Sequence, residues 1–285
     1  EEMSRTVEQY IADGADMIIL TSDWGDFGQK VAEAHPEIPF LHMVEEPVDN
    51  ELAYYIAHEY PSYLIGMAAG LLTETNEIGY IGSFPSNANK VGINAFHLGA
   101  RSVNPDVTTH AVFVNSWFDP AAARQSGEAL ADSGIDFIFG IMDEGAYLEV
   151  AEERGIWAAM WNTDIREFGP NAYVSTVLLD WDDFYIDQIQ QVMDGTWSDG
   201  GNTIILPVTD GVDRGPWGDN VPADVKEKVD AVRDQMINDG FNPFEGPLSD
   251  VDGNLLLEEG KELSPVEVWQ GAMLDWALEG VVGLE

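Results

Sequence analysis

Cysteine is absent from this 285-residue chain, which removes disulfide frameworks, thiolate metal sites and cysteine nucleophiles together. Basic residues are nearly as scarce. Lys and Arg number 12 against 52 Asp and Glu, a formal charge of -40, although the charged fraction of 22% is ordinary for a folded protein. A field of that sign disfavours nucleic acid as a partner, because phosphate binding depends on Lys and Arg neutralising the backbone. Long apolar runs are missing too. None approaches the roughly 20 residues needed to span a bilayer, and no stretch reads as a signal peptide. The five histidines (His35, His42, His58, His97 and His110) form no i, i+4 pair and no HxH, which argues against a metal site or a histidine-based triad.

What remains is a folded acidic protein: 45% of its residues are hydrophobic and its acids are spread along the whole chain, unlike a disordered acidic tail. A surface this negative repels itself, so the compact state should gain from salt that shortens the screening length to about 3 Å near 1 M. That composition implies a halophilic source. An acidic patch for a basic partner would predict clustered charge, and little clustering exists beyond Asp180 to Asp183. The length allows two lobes or one large α/β domain.

A repeated strand-then-helix rhythm predicts parallel sheets covered on both faces. Strands are expected at Met17–Leu20, Phe40–Val44, Glu77–Gly82, Thr108–Val114, Phe137–Gly140, Ala158–Trp161, Tyr173–Val177 and Thr203–Val208. Helices are expected at Met3–Ile11, Phe27–Ala34, Tyr54–Thr73, Ala88–Val103, Ala121–Ser133, Glu144–Arg154, Asp183–Met193, Ala223–Asn238 and Pro265–Leu278. The small-residue run GMAAGLL in the third of these is expected to pack closely on the sheet. Gly14-Ala15-Asp16 and Gly134-Ile135-Asp136 echo one another, each a glycine-capped helix end running into a buried strand, which suggests a duplicated lobe. Because the chain opens inside a helix-like stretch with no strand before it, residues upstream are expected. A secretion signal or lipid-anchoring cysteine would lie there.

Aromatic and polar residues cluster after the strands. Val114–Pro120 reads VNSWFDP, two rings and a carboxylate at a strand end, where open α/β sheets bind ligands; Asp119-Pro120 also suits a helix N-cap and first turn. Trp24, Asp26 and Phe27, then Phe84, Trp117 and Phe118, then Asp143 and Gly145, then Trp161, Asn162 and Asp164, and finally Trp181 fall in such positions. Rings of this kind sandwich a planar ligand while Asp and Asn take its N–H or hydroxyl groups. Asp250, Asp252 and Asn254 mimic the start of a calcium loop, but Gly253 is misplaced and Lys261 stands where the closing glutamate belongs, so the segment reads as a β-turn. With 52 acids, carboxylate pairs occur by chance and do not favour a glycosidase.

GYIGSF (Gly79–Phe84), GINAFHLGARSVNPD (Gly92–Asp106), VNSWFDP, WNTDIREFGP (Trp161–Pro170), DGTW (Asp194–Trp197) and FNPFEGPLSDVDGN (Phe241–Asn254) together resemble the basic membrane protein family, purine-nucleoside-type substrate-binding lipoproteins of ABC importers. The resemblance implies an α/β, type I periplasmic-binding-protein fold: two three-layer α/β/α lobes with parallel sheets, joined by crossover strands and closing on a ligand, with the family's first βα unit lacking a counterpart here. Lobe 1 is expected at 1–105 plus 178–200, and lobe 2 at 106–177 plus 201–285. Carried over by position, Asp26 matches an acid of the first lobe's binding loop, Trp117 or Phe118 the aromatic that stacks on the base, Gly145 the next strand-end loop, and Asn162 with Asp164 the acidic pair that meets ligand hydroxyl groups or ring nitrogens. Asn162 in place of an acid, and Leu179 where nucleoside binders often carry Lys, weaken a ribose assignment and leave nucleobases open. The implied protein is a membrane-anchored, extracytoplasmic receptor, commonly monomeric, that needs no cofactor or metal and delivers a purine nucleoside or nucleobase to an ABC permease without chemistry. The rival readings are a ligand-binding sensory module and a carboxylate-dependent nucleoside hydrolase.

Overall fold

The computed structural model describes residues 2–273 and 275–284. In chain order its first elements are α1 (Glu2–Ala12), β1 (Ile18–Leu20), α2 (Gly25–Ala34), β2 (Phe40–His42), β3 (Glu51–Ile56), α3 (Glu59–Leu72), β4 (Glu77–Gly82), α4 (Asn87–Val103), β5 (Thr108–Phe113) and α5 (Pro120–Asp132). There follow β6 (Phe137–Ile141), α6 (Ala146–Arg154), β7 (Trp157–Asn162), β8 (Tyr173–Leu179), α7 (Asp182–Met193), β9 (Thr203–Leu206), β10 (Val212–Arg214), α8 (Ala223–Asn238), β11 (Leu248–Ser249), β12 (Leu255–Leu257), α9 (Pro265–Trp269) and β13 (Val281–Val282).

These elements sort into two compact units. The first comprises the residues through Ala57, Asp180–Gly211 and Pro265–Gly271. Its sheet has the order β1-β2-β3-β9, every pairing parallel. Val7 of α1 and Val31 and Ala32 of α2 form a core with Ile18, Leu20 and Phe40, so the apolar stripes of two amphipathic helices cover one side of β1 and β2. Tyr54 is buried amid Trp181, Phe184 and Tyr185, its hydroxyl donating to the Leu20 carbonyl and lying 2.9 Å from the Tyr185 hydroxyl.

The second unit holds His58–Leu179, Val212–Ser264 and the stretch from Ala272 on. Its seven-stranded sheet has the order β10-β8-β7-β6-β4-β5-β13, parallel except where β10 runs against β8. Glu77–Gly82 pairs with β5 on one side and β6 on the other, which is why EIGYIG carries apolar residues on both faces. Helix α3 is hydrophobic all round and lies against α4 so closely that a Cβ at Gly66 would sit 1.9 Å from the Phe96 carbonyl oxygen. His97, buried on α4, ties down the end of the chain: Nδ1 meets the Thr109 hydroxyl at 2.9 Å and Nε2 the Glu279 carbonyl at 2.8 Å.

Most predicted elements appear within one or two residues of the expected bounds, and Gly14 and Gly134 both adopt the left-handed conformation (φ 95° and 97°) ahead of buried strands, as their sequence echo suggested. Four expectations are corrected. The helix expected from Tyr54 begins at Glu59, because Glu51–Ile56 is a fully paired inner strand and apolar periodicity cannot divide a strand that feeds directly into a buried helix. The GMAAGLL glycines face α4 rather than the sheet. The last helix ends at Trp269, before the left-handed Gly271, and Leu274 of the expected Pro265–Leu278 helix lies outside the described residues. Finally, the contacts part the chain at Ala57/His58 instead of at 105/106, since β4 is inserted between β5 and β6, while β9 joins unit 1 by pairing with β3.

Candidate functional site

Five consecutive parallel strands of unit 2 bring their carboxyl ends to one edge in the spatial order Leu179, Asn162, Ile141, Gly82, Phe113. The winding reverses between β4 and β6: the chain goes outward from β4 to β5, then returns past β4 to build β6, β7 and β8. In open α/β sheets, a reversal of this kind is where ligands are commonly bound, beyond the carboxyl ends of the strands. Phe84 follows β4, Trp117 and Phe118 follow β5, Asp143 and Gly145 follow β6, and Asn162 ends β7. Topology therefore gathers these sequence candidates on one rim.

The rim is tied across its loops. Phe84 and Trp117 meet edge to face, ring centroids 5.8 Å apart, with Trp117 and Phe118 still exposed. The Trp117 carbonyl accepts from the Asp143 N–H at 3.0 Å, and the Ser116 hydroxyl accepts from Phe118 N–H at 3.2 Å. Asp119 caps α5 as its sequence suggests, accepting from Ala122 N–H at 3.0 Å with Pro120 in the first turn. Desolvation by the surrounding loops raises the pKa of Asp143, although its side chain stays open to solvent. Gly145 precedes α6, where a side chain would press on Ile165 and Phe168.

Other candidates are more constrained. Trp161 is only 6% exposed and packs edge-on against His58, centroids 5.5 Å apart, so it walls the core instead of offering an open face. Asn162 is exposed in the left-handed conformation (φ 72°) that Asn tolerates. Asp164 is engaged by the Arg166 guanidinium, whose Nη2 donates at 2.6 Å. Its partial burial would raise the carboxyl pKa, but the Arg166 hydrogen bonds and charge outweigh that and hold it low. Leaving that partner is the cost of any contact Asp164 makes to a ligand. In unit 1, exposed Trp24 and Phe27 flank the start of α2, Asp26 forms a loose, exposed pair with Lys30 at 3.9 Å, and Trp181 stacks on Tyr185 at 5.9 Å.

Several buried ionisable groups had no sequence signal beyond residue type. His42 and Glu51 are fully buried and paired at 3.0 Å. Glu144 Oε2 accepts from Ala146 N–H at 2.6 Å while burial raises its pKa. Glu59, 3% exposed in the first turn of α3, has its pKa raised by burial to about 8, and burial lowers its neighbour His58 to about 3. The two act oppositely on stability. An unfolded Glu ionises near 4.5, so folded Glu59 holds a proton that the unfolded chain has released, and stability is lost as pH rises from there to 8. His58 stays neutral when folded, so its contribution is lost as pH falls below 6.5. Glu59→Gln is accordingly expected to stabilise the protein by roughly 3 kcal/mol at pH 8 and by little at pH 4.5. Unfolding midpoints measured in concentrated salt across that range check this; equal gains at both ends would contradict it.

Two α/β units built on parallel strands and traversed by one chain have the type I periplasmic-binding-protein fold. The chain belongs to the PnrA-like ABC transporter substrate-binding protein family, whose model matches residues 1–240. It is 35% identical over 251 residues to a putative ABC transporter glucose-binding protein of Haloferax volcanii, a match covering 86% of this chain and 63% of that protein. The chain thus spans less than two thirds of that relative's length. It is 34% identical over 255 residues to a purine-binding protein of Brucella abortus, covering 88% of this chain and 72% of that one. Among solved structures, an ABC transporter solute-binding protein from Aeropyrum pernix superposes with a TM-score of 0.72 at 16% identity, over 97% of this chain and 87% of that one.

Proposed function

We propose that this chain is the extracytoplasmic capture component of an ABC importer, binding a purine nucleobase or nucleoside and handing it to a membrane permease. The observation that carries this reading is the Phe84–Trp117 ring pair at the β4/β6 switch point, alongside the Asp143 carboxylate. The exposed Trp117 ring, braced by half-buried Phe84, favours a flat heterocycle, and a carboxylate beside it accepts N–H groups of that ligand. The purine-binding relative from Brucella abortus supports the same class. Binding closes on the ligand without bond making, so affinity comes from ring burial and selectivity from the polar groups.

A sugar is the second reading, favoured by the relative described as glucose-binding. Aromatic faces accept sugar C–H surfaces as well as bases, so a direct comparison is needed. Calorimetry in concentrated KCl with adenosine, guanosine, hypoxanthine and D-glucose separates the two: purine binding with no heat from glucose supports the proposal, and the reverse pattern overturns it. Trp117→Ala is expected to weaken purine binding about 5- to 150-fold, the range of about 1–3 kcal/mol that one base–aromatic stack contributes. An unchanged Kd in that variant would remove Trp117 from the site.

A further inference from the structure

His42, at the end of β2, and Glu51, at the start of β3, form a fully buried pair that the solute-binding reading leaves without a role. His42 Nδ1 lies 3.0 Å from Glu51 Oε1, and Glu51 Oε2 accepts from Val48 N–H at 3.1 Å. On its other side, His42 Nε2 accepts from the Trp24 backbone N–H at 3.1 Å. An imidazole nitrogen that accepts a backbone N–H carries no proton, so the ring's proton sits on Nδ1 and is donated to Glu51. Glycine at position 28 makes the arrangement possible: a Cβ there would stand 2.4 Å from His42 Cε1. Through that amide the ring holds the segment that carries Trp24, Asp26 and Phe27, of which both aromatic rings are exposed. Val48 fixes the carboxylate, the carboxylate fixes the tautomer, and the tautomer fixes the loop.

We propose that His42 and Glu51 are positioning residues for ligand capture: Glu51 sets the imidazole tautomer that anchors Trp24, and so holds the Trp24–Phe27 segment in its binding geometry. This rests on the solute-binding reading. His42 touches no ligand in this scheme and acts only through the Trp24 amide.

Glu51→Gln tests it with little change of shape. The Val48 N–H demands an oxygen at the Oε2 position, which places the new amide NH2 against His42 Nδ1. The proton must then move to Nε2, where it opposes the Trp24 N–H. His42→Gln is the conservative counterpart, because its amide oxygen can accept from Trp24 while its NH2 donates to Glu51. The expected results are a wild-type His42 protonated at Nδ1 by long-range proton–nitrogen correlation NMR, a proton shifted to Nε2 in Glu51→Gln, and faster hydrogen exchange at the Trp24 amide in that variant alone. Purine affinity should fall about tenfold, some 1.4 kcal/mol, in Glu51→Gln and stay within about threefold of wild type in His42→Gln. A wild-type proton on Nε2, or a Trp24 amide that exchanges at the same rate in Glu51→Gln as in wild type, overturns the proposal. So does a Glu51→Gln protein that binds with wild-type affinity. If wild-type protein binds no purine, the function proposal fails, and the tautomer and exchange measurements still decide whether the pair anchors the segment. Should Glu51→Gln not fold, the wild-type tautomer and the exchange of Trp24 in His42→Gln decide the matter instead.

Discussion

Replacing Gly66 by alanine is expected to destabilise unit 2 by at least about 3 kcal/mol, near the upper end of single-residue effects. In most helix interiors the same change is favourable by roughly 1 kcal/mol, because alanine restricts the unfolded backbone and has the higher helix propensity. Here the added Cβ would lie 1.9 Å from the Phe96 carbonyl oxygen and 2.7 Å from its carbon. Backbone atoms of α4 cannot rotate aside as a flexible side chain would, so the helices must separate along their whole contact. Gly66 and Gly70 stand four residues apart on one stripe of α3, the small-residue spacing that lets two helix backbones approach, and Gly99 answers from α4 with a Cβ position 2.0 Å from the Tyr63 carbonyl oxygen. The losses should therefore rank Gly66→Ala and Gly99→Ala above Gly70→Ala, whose nearest atom would be 2.5 Å away. Denaturant midpoints in concentrated salt measure the order. Three equal losses, or a gain at Gly66, would show that the helices relax apart cheaply.

That helix pair also shows where the sequence was legible and where it was not. The GMAAGLL run announced close packing, because only small residues permit it, but nothing in a one-dimensional pattern says which neighbour approaches. The strand–helix alternation set the fold class, since parallel strands need crossover helices. It could not set the unit boundary: β4 enters the larger sheet between β5 and β6, and strand order is a non-local property. The rim residues Phe84, Trp117, Asp143 and Asn162 were legible because parallel strands all end on one edge, so any residue just past a strand falls there. Trp161 and Asp164 carried the same signal, yet one is walled in against His58, far away in sequence, and the other is held by Arg166 only two residues on, a local pairing that the strand-end pattern does not reveal. His42 and Glu51 were invisible for a different reason: their pairing crosses two strands, and a lone histidine among apolar neighbours gives no hint of the carboxylate it will meet.

Lowering KCl from 3 M to 0.1 M is expected to reduce the thermal midpoint by on the order of 10 °C or more, which for a chain of this size corresponds to several kcal/mol. The argument starts from the residues. Even if all 12 Lys and Arg were paired, 52 - 12 leaves 40 carboxylates without a basic side chain. Several of the bases are already committed: Arg124 serves Glu128, Glu149 and Glu153, while Arg166, Arg214 and Arg233 hold Asp164, Asp230 and Asp213. These pairs remove no net charge from the rest of the surface. Unfolding moves the remaining carboxylates apart, so their repulsion opposes the compact state, and it acts over about 10 Å at 0.1 M salt but only about 3 Å at 1 M. Screening therefore predicts a midpoint that climbs steeply to about 1 M and then flattens, with chloride and sulfate alike at equal ionic strength. Salting-out of apolar surface predicts a rise that continues to 3 M and is larger for sulfate. The charge count makes the steep first limb the dominant one, and a midpoint that does not move between 0.1 and 1 M would mean that the acids are spaced widely enough to tolerate water alone.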